Sequence, residues 1–201
     1  MTVESLKPSQ LFYDEIPTCI SALIKKNPSL PSQSKRKHLI LQTHDISNSQ
    51  DSDELHLFKD QCDCVCDGLY ISGEEVSSNL EVLKANKITH IVNLSGSIQY
   101  FPDQFVYFDV KLRDSVFEEL KDDFWMATTF TKEAIRNGGR VLVHCRKGVC
   151  RSASLCIAFL MKEGKTYDHA YEVVKNAHPI ISINPSFEAQ IKSFMIAHNY
   201  C

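Results

Sequence analysis

The chain has 201 residues, 43% of them apolar and 23% charged, enough for one soluble domain with a buried core and a further segment. With 22 Lys and Arg against 25 Asp and Glu, the net charge of −3 excludes a chain-wide electrostatic grip on nucleic acid or anionic lipid, while a local basic pocket stays open. No run of 18 apolar residues is present, and Met1-Thr2-Val3-Glu4-Ser5 lacks the basic start and apolar stretch of a secretory signal, so the chain reads as intracellular and its eight cysteines as thiols.

Glycine is absent before Gly68, and four of the seven prolines stand at Pro8, Pro17, Pro28 and Pro31. The composition therefore changes near residue 60, dividing an N-terminal extension and linker (residues 1–60) from a folded domain (residues 61–201). Within the extension, residues 18–26 carry a short amphipathic helix pattern through Ile20, Leu23 and Ile24, and residues 38–42 form a short apolar run. Residues 28–36 and 47–60 are weak in apolar content, and the second of these is acidic, as a linker would be. The run Lys35-Arg36-Lys37-His38-Leu39-Ile40-Leu41 weakly resembles the basic-then-hydrophobic motif through which kinases and their phosphatases pair; a solvated linker or a nuclear-import patch fits it equally. Cys62, Cys64 and Cys66 alternate as one face of an extended strand would, and metal binding is the weaker alternative because zinc sites more often use two to four intervening residues.

From Gly68 onward strand and helix patterns alternate. Strands are expected at 69–71, 90–94, 105–110 and 140–144, and helices at 79–86, 118–136, 152–163, 167–177 and 185–198. Asn137-Gly138-Gly139 closes the longest helix. This rhythm predicts an α/β fold with a central, mostly parallel sheet of about five strands and helices on both faces. No internal repeat is visible.

The chemistry is concentrated between residues 141 and 152. Cys145 ends an apolar strand, Ser152 starts an apolar helix, and Gly148 lies between them. Backbone N–H groups from Arg146 to Arg151 can turn around a tetrahedral oxyanion, with the positive end of the helix behind them and Gly148 free to take a backbone angle that other residues resist. The same field stabilises a thiolate at Cys145, making it a nucleophile at neutral pH. Arg151 supplies a planar fork for two phosphate oxygens.

The segment H-C-R-K-G-V-C-R-S, residues 144–152, resembles the H-C-x-x-G-x-x-R-S/T signature of the cysteine-dependent protein tyrosine phosphatases. Its surroundings resemble the dual-specificity branch: D-G-L-Y-I-S-G, K-I-T-H-I-V-N-L-S, S-A-S-L-C-I-A-F-L-M-K and I-N-P-S-F-E-A-Q-I, which together run over residues 62–198. The resemblance implies a metal-free, cofactor-free hydrolysis of phosphotyrosine and of phosphoserine or phosphothreonine on proteins. Cys145 would take the phosphoryl group, while Arg151 and the loop residues Arg146, Lys147, Gly148, Val149 and Cys150 hold it. Asp114, in L-R-D-S-V-F, would serve as the acid that later becomes the base; Asp109 is its nearest competitor but falls inside an apolar strand. Asp114 could instead, or in addition, be an N-cap or turn aspartate of the next helix.

The resemblance further implies that Ser152 hydrogen-bonds the cysteine sulfur, that His144 supports the loop and the ionised Cys145, and that Asn184 braces the neighbouring loops. A plain helix cap for Ser152, a core-satisfied histidine for His144, and an N-cap before Pro185 for Asn184 are the alternative readings. Cys150 gives the spacing C-x-x-x-x-C-R, which resembles the low-molecular-weight tyrosine phosphatases, where the second cysteine protects the first as a disulfide; a small filler under the loop is the other reading. Arg146 and Lys147 favour acidic or multiply phosphorylated substrates. The rival functions are a phosphatase for phosphoinositide or an RNA 5′-phosphate, and a phosphate-binding or redox-sensing module. The expected partner is a phosphorylated protein in the cytoplasm or nucleus, with no nucleic acid and no membrane span.

Overall fold

A computed structural model describes residues 61–200. The expectations for residues 1–60, including the linker, the helix at 18–26 and the docking run Lys35 to Leu41, lie outside the described residues, as do Cys19 and Cys201.

The described chain runs β1 (Asp63–Cys66), β2 (Leu69–Ser72), α1 (Glu74–Ser77), α2 (Leu80–Ala85), β3 (His90–Asn93), β4 (Val106–Asp109), α3 (Asp122–Arg136), β5 (Val141–His144), α4 (Arg151–Lys162), α5 (Tyr167–Ala177) and α6 (Pro185–Ala197). The five strands form one sheet in the order β1-β2-β5-β3-β4, with β1 antiparallel to β2 and every other pair parallel. In β2 and β5 every residue is buried, and in β3 all but His90. Successive strand residues point to opposite sides, so both faces of this central part of the sheet are covered.

The helices follow from their apolar spacing. Residues 152–161 of α4 are all buried, and the helix lies on β2 and β5 while α3, α5 and α6 pack around it. In α3 the buried residues Phe124, Ala127, Thr128, Thr131 and Ala134 recur at helical spacing; in α6 Phe187, Ile191 and Met195 do the same. Asn79, Thr166 and Asn184 cap α2, α5 and α6 with their side chains. Gly139 follows α3 where a Cβ would stand 2.8 Å from the Ala134 carbonyl oxygen, so only glycine lets the chain turn there into β5.

Three elements differ from expectation. α3 begins at Asp122 rather than at 118, because the Glu118 carbonyl and the Leu120 N–H bond to the side chain of Gln190 instead of joining a helical ladder. The alternation at Cys62, Cys64 and Cys66 breaks at a register shift between Cys64 and Cys66, which buries Cys64 and Val65 together. The short helix α1 has no clear periodicity and was not anticipated. Among the described residues no group of three or more His, Cys, Asp or Glu is placed to hold a metal ion, and no helix is long and apolar enough to cross a membrane.

Candidate active site

The sheet delivers the site. β5 is flanked by β2 and β3, and its last residue, His144, pairs with Ser72 on one side and Asn93 on the other. The loop from Cys145 to Cys150 therefore leaves the C-terminal edge of the most buried strand and enters α4 at Arg151. In open α/β sheets this edge is where ligands bind.

Cys145 is 1% exposed, at the base of the loop, and its Sγ lies 3.2 Å from Ser152 Oγ. Ser152 is the second residue of α4 and does not cap it: the N-cap position falls on Cys150, which makes no side-chain cap. The serine hydroxyl is thus directed to the sulfur. Among the described residues no hydrogen bond is donated by the backbone N–H groups of residues 146–150, which leaves a string of amide donors at the positive end of a buried helix. Gly148 has a φ of 75°, and a Cβ there would stand 2.9 Å from the Ser72 carbonyl carbon, so this position requires glycine both for its angle and for the close approach. Arg146 and Lys147 are exposed, while Val149 is half-buried and accepts from the Ser182 N–H at 3.0 Å.

Arg151 is held before any ligand arrives. Its Nη1 donates to the carbonyls of Leu94 at 2.8 Å and Leu112 at 3.3 Å, and its Nε lies 4.0 Å from Asp114 Oδ2. Asp114 stands in an irregular segment, not in a helix cap, because α3 starts only after Lys121. Its side chain is 44% exposed, open to a substrate. Asp109 faces elsewhere, accepting from Asn93 Nδ2 at 2.9 Å and from Gln99 Nε2 at 2.6 Å.

Cys150 is buried between these groups. Burial, and then a hydrogen bond with Asp114, push its thiol up to about 12, so it is a thiol at neutral pH. Its Sγ accepts the Asn184 N–H at 3.3 Å. Asn184 therefore links α6 to the loop through its backbone, while its side chain accepts from the Ser186 N–H as an N-cap.

His144 is 1% exposed. Burial takes it down from 6.5 to about 4, with the Asp109 carboxylate opposing the drop and Arg151 adding to it, so the ring is neutral at pH 7. The unfolded chain takes up this proton near 6.5 and the folded chain only near 4. The contribution to stability is therefore intact above 6.5 and is lost as pH falls from 6.5 towards 4, by about 3 kcal/mol in all. Denaturant unfolding of the wild type is expected to weaken by that much more than His144→Gln across this window; parallel pH dependences would show that the histidine is not buried neutral.

Sequence reading missed two contacts beside the loop. The His178 ring, 0% exposed, pairs through Nδ1 with Asp63 Oδ2 at 2.7 Å, and its Nε2 lies where a Cβ on Gly148 would approach to 3.0 Å. Asp63 sits among the alternating cysteines, 115 positions away in the chain, and nothing in the local pattern pairs the two. Gln190 is the other: it lies within the quoted segment I-N-P-S-F-E-A-Q-I but offers no chemistry of its own.

A buried sulfur with a hydroxyl beside it, unspent amides around it, a pinned guanidinium and an exposed carboxylate can bind a phosphate, attack it and protonate its leaving group. The chain is similar to known proteins. Protein-tyrosine-phosphatase MKP1 of Arabidopsis thaliana is 36% identical over 142 residues, 69% of this chain, and the Slingshot homolog of Xenopus laevis is 39% identical over 129 residues, 63% of this chain. The chain spans 18% of the length of each of those relatives. A crystal structure of a mouse putative dual specificity phosphatase complexed with zinc tungstate superposes with a TM-score of 0.65 at 28% identity, covering 69% of this chain and 91% of that one. The family model for the dual specificity phosphatase catalytic domain matches residues 69–196, from the start of β2 almost to the end of α6. The chain therefore belongs to the dual specificity phosphatase family, whose catalytic domain it carries.

Proposed function

We propose that this chain is a protein phosphatase that hydrolyses phosphotyrosine and phosphoserine or phosphothreonine through a cysteinyl-phosphate intermediate. The observation that carries the reading is the meeting of Cys145, Ser152, Arg151 and Asp114 at the entrance to α4. The Cys145 thiolate attacks phosphorus and forms an S–P bond while the P–O bond to the substrate breaks, and Asp114 gives its proton to the departing oxygen. Arg151 and the loop amides of residues 146–150 hold the three equatorial oxygens as charge spreads over them. Asp114, now a carboxylate, takes a proton from water as that water attacks phosphorus. The S–P bond breaks, and Ser152 hydrogen-bonds the leaving thiolate. His144 supports the loop as a neutral ring, and Asn184 braces it through Cys150.

Cys150 serves this site as a regulator. Peroxide converts the Cys145 thiolate to a sulfenic acid, and the neighbouring Cys150 thiol condenses with it, forming a disulfide and releasing water. The partner is a phosphorylated protein in the cytoplasm or nucleus, with Lys35 to Leu41 as the candidate docking run for a kinase.

The exposed Arg146 and Lys147 at the rim favour acidic substrates, which keeps a phosphoinositide as the second candidate. Phosphate release from phosphotyrosyl and phosphothreonyl peptides and from a phosphoinositide, measured in chelator and reductant, separates these readings. Turnover of the peptides is expected, and Asp114→Ala is expected to lower it by about 10²-fold or more and to remove the pH limb that reports the acid. Phosphate binding without turnover of any substrate would replace the enzyme by a binding module.

A further inference from the structure

Asp114 has no regular element of its own: it stands between the end of β4 at Asp109 and the N-cap of α3 at Lys121. A carboxylate on such a segment delivers its proton in the same place each time only if the segment is held, since a misplacement of roughly 1 Å can cost about a hundredfold in rate. Arg151 holds the near end, through the Leu112 carbonyl.

The far end is held from α6. Gln190 accepts the Leu120 N–H through Oε1 at 2.8 Å, and its Nε2 donates to the Glu118 carbonyl at 2.9 Å and to Ser186 Oγ at 3.0 Å. Both hydrogens of its amide and its oxygen are thus engaged. The Leu120 carbonyl is held as well, by Trp125 Nε1 at 3.2 Å, and the Trp125 ring stacks on Phe194 of α6 with centroids 3.6 Å apart. Within the segment, Arg113 Nε reaches Glu118 Oε2 at 2.7 Å, tying the anchored end back to the residue beside Asp114. The same helix starts at Asn184, whose N–H rests on Cys150 of the phosphate loop. One rigid element therefore touches the loop that carries the nucleophile and the segment that carries the acid.

We propose that Gln190 is a positioning residue that fixes Asp114 relative to Cys145. The inference rests on the phosphatase reading above. Without its side chain the N–H of Leu120, a residue 8% exposed, and the Glu118 carbonyl lose their partners, and a segment with no ladder of its own has to find new ones. The effect falls on proton delivery rather than on phosphate binding, because the hydrogen bonds of the Gln190 side chain go to Leu120, Glu118 and Ser186 and not to Arg151 or the amides of residues 146–150.

Proton delivery has a signature. Phenolate leaves poorly without a proton, whereas 4-nitrophenolate leaves well without one, so kcat/KM, which runs through transfer to Cys145 and not through the later hydrolysis, reads the acid for phenyl phosphate and scarcely does for 4-nitrophenyl phosphate. Gln190→Ala is expected to lower kcat/KM for phenyl phosphate by about tenfold or more and for 4-nitrophenyl phosphate by less than about threefold. Gln190→Glu keeps the acceptor and loses the donors at neutral pH, and is expected to show the same selective loss to a smaller degree; it carries the comparison if the alanine variant does not fold. In an Asp114→Asn background the Gln190 change is expected to add no further selective loss, since the two act through one proton. Equal losses on both esters, no loss on either, or a full additional selective loss in the Asp114→Asn background would each overturn the role. Those outcomes beside a wild type whose turnover depends on Cys145 overturn the role of Gln190 alone. A wild type that turns over neither ester overturns the phosphatase reading, and this role with it.

Discussion

Cys145→Ser is expected to lower phosphate release by about 10⁴-fold or more, the largest effect of any single change in this site. Serine keeps the size of the side chain and one hydrogen-bonding group beside Ser152, so the loop survives. What it loses is the nucleophile: neither the helix end nor the amides of residues 146–150 ionise a hydroxyl at neutral pH, whereas a thiol is close to ionising on its own. Binding should persist, because the anion is held by amides and by Arg151, which the change leaves alone. Steady-state turnover together with calorimetric binding of tungstate checks both halves. Acid-quenched wild type should in addition carry phosphate on Cys145, and the variant none. Turnover within tenfold of wild type would place the nucleophile elsewhere.

Arg151→Lys is expected to lower kcat by about 10²- to 10³-fold, with a smaller change in KM. The argument is geometric. One Nη1 is already committed to the carbonyls of Leu94 and Leu112, which fixes the plane of the guanidinium while its other nitrogens remain for the phosphate oxygens and for Asp114 4.0 Å away. A lysine ammonium has three donors around one point and cannot reach both carbonyls and still present a flat pair to the phosphate. The Leu112 carbonyl then loses its partner, and with it goes the near anchor of the segment that carries Asp114. The loss in kcat/KM should therefore be greater for phenyl phosphate than for 4-nitrophenyl phosphate, and a kcat within tenfold of wild type would show that charge alone suffices at this position.

Most of the fold is local pattern and could be read before any coordinates. The largely apolar α4, the 3.6-residue spacing of α3 and α6 and the short β-rich runs expected at 69–71, 90–94 and 140–144 each carry their own period, and Asn184 before Pro185 marks a helix start. Helix starts failed where a side chain from far along the chain took the backbone groups: the first turn expected at residue 118 is spent on Gln190, 72 residues away from Glu118. The run of cysteines at 62, 64 and 66 failed differently, since a bulge displaces a strand without leaving any mark in its residue types.

By itself the sequence determined which short loop carries the candidate chemistry of this protein. A cysteine, a glycine, an arginine and a serine at fixed offsets between an apolar strand and an apolar helix suit a loop that grips a phosphate, and the reason is local: backbone amides, a helix end and a left-handed glycine are all within one short loop. Only the tertiary structure decided what surrounds that loop. It placed Asp114 rather than Asp109 beside Arg151, held Cys150 as a thiol between Asp114 and Asn184, set the His178 and Asp63 pair beneath Gly148, and put Gln190 on the segment that carries the acid. Each of these depends on polar contacts between residues far apart in the chain, and such pairings are settled by which faces the sheet and helices bury together, not by any period in the residues themselves.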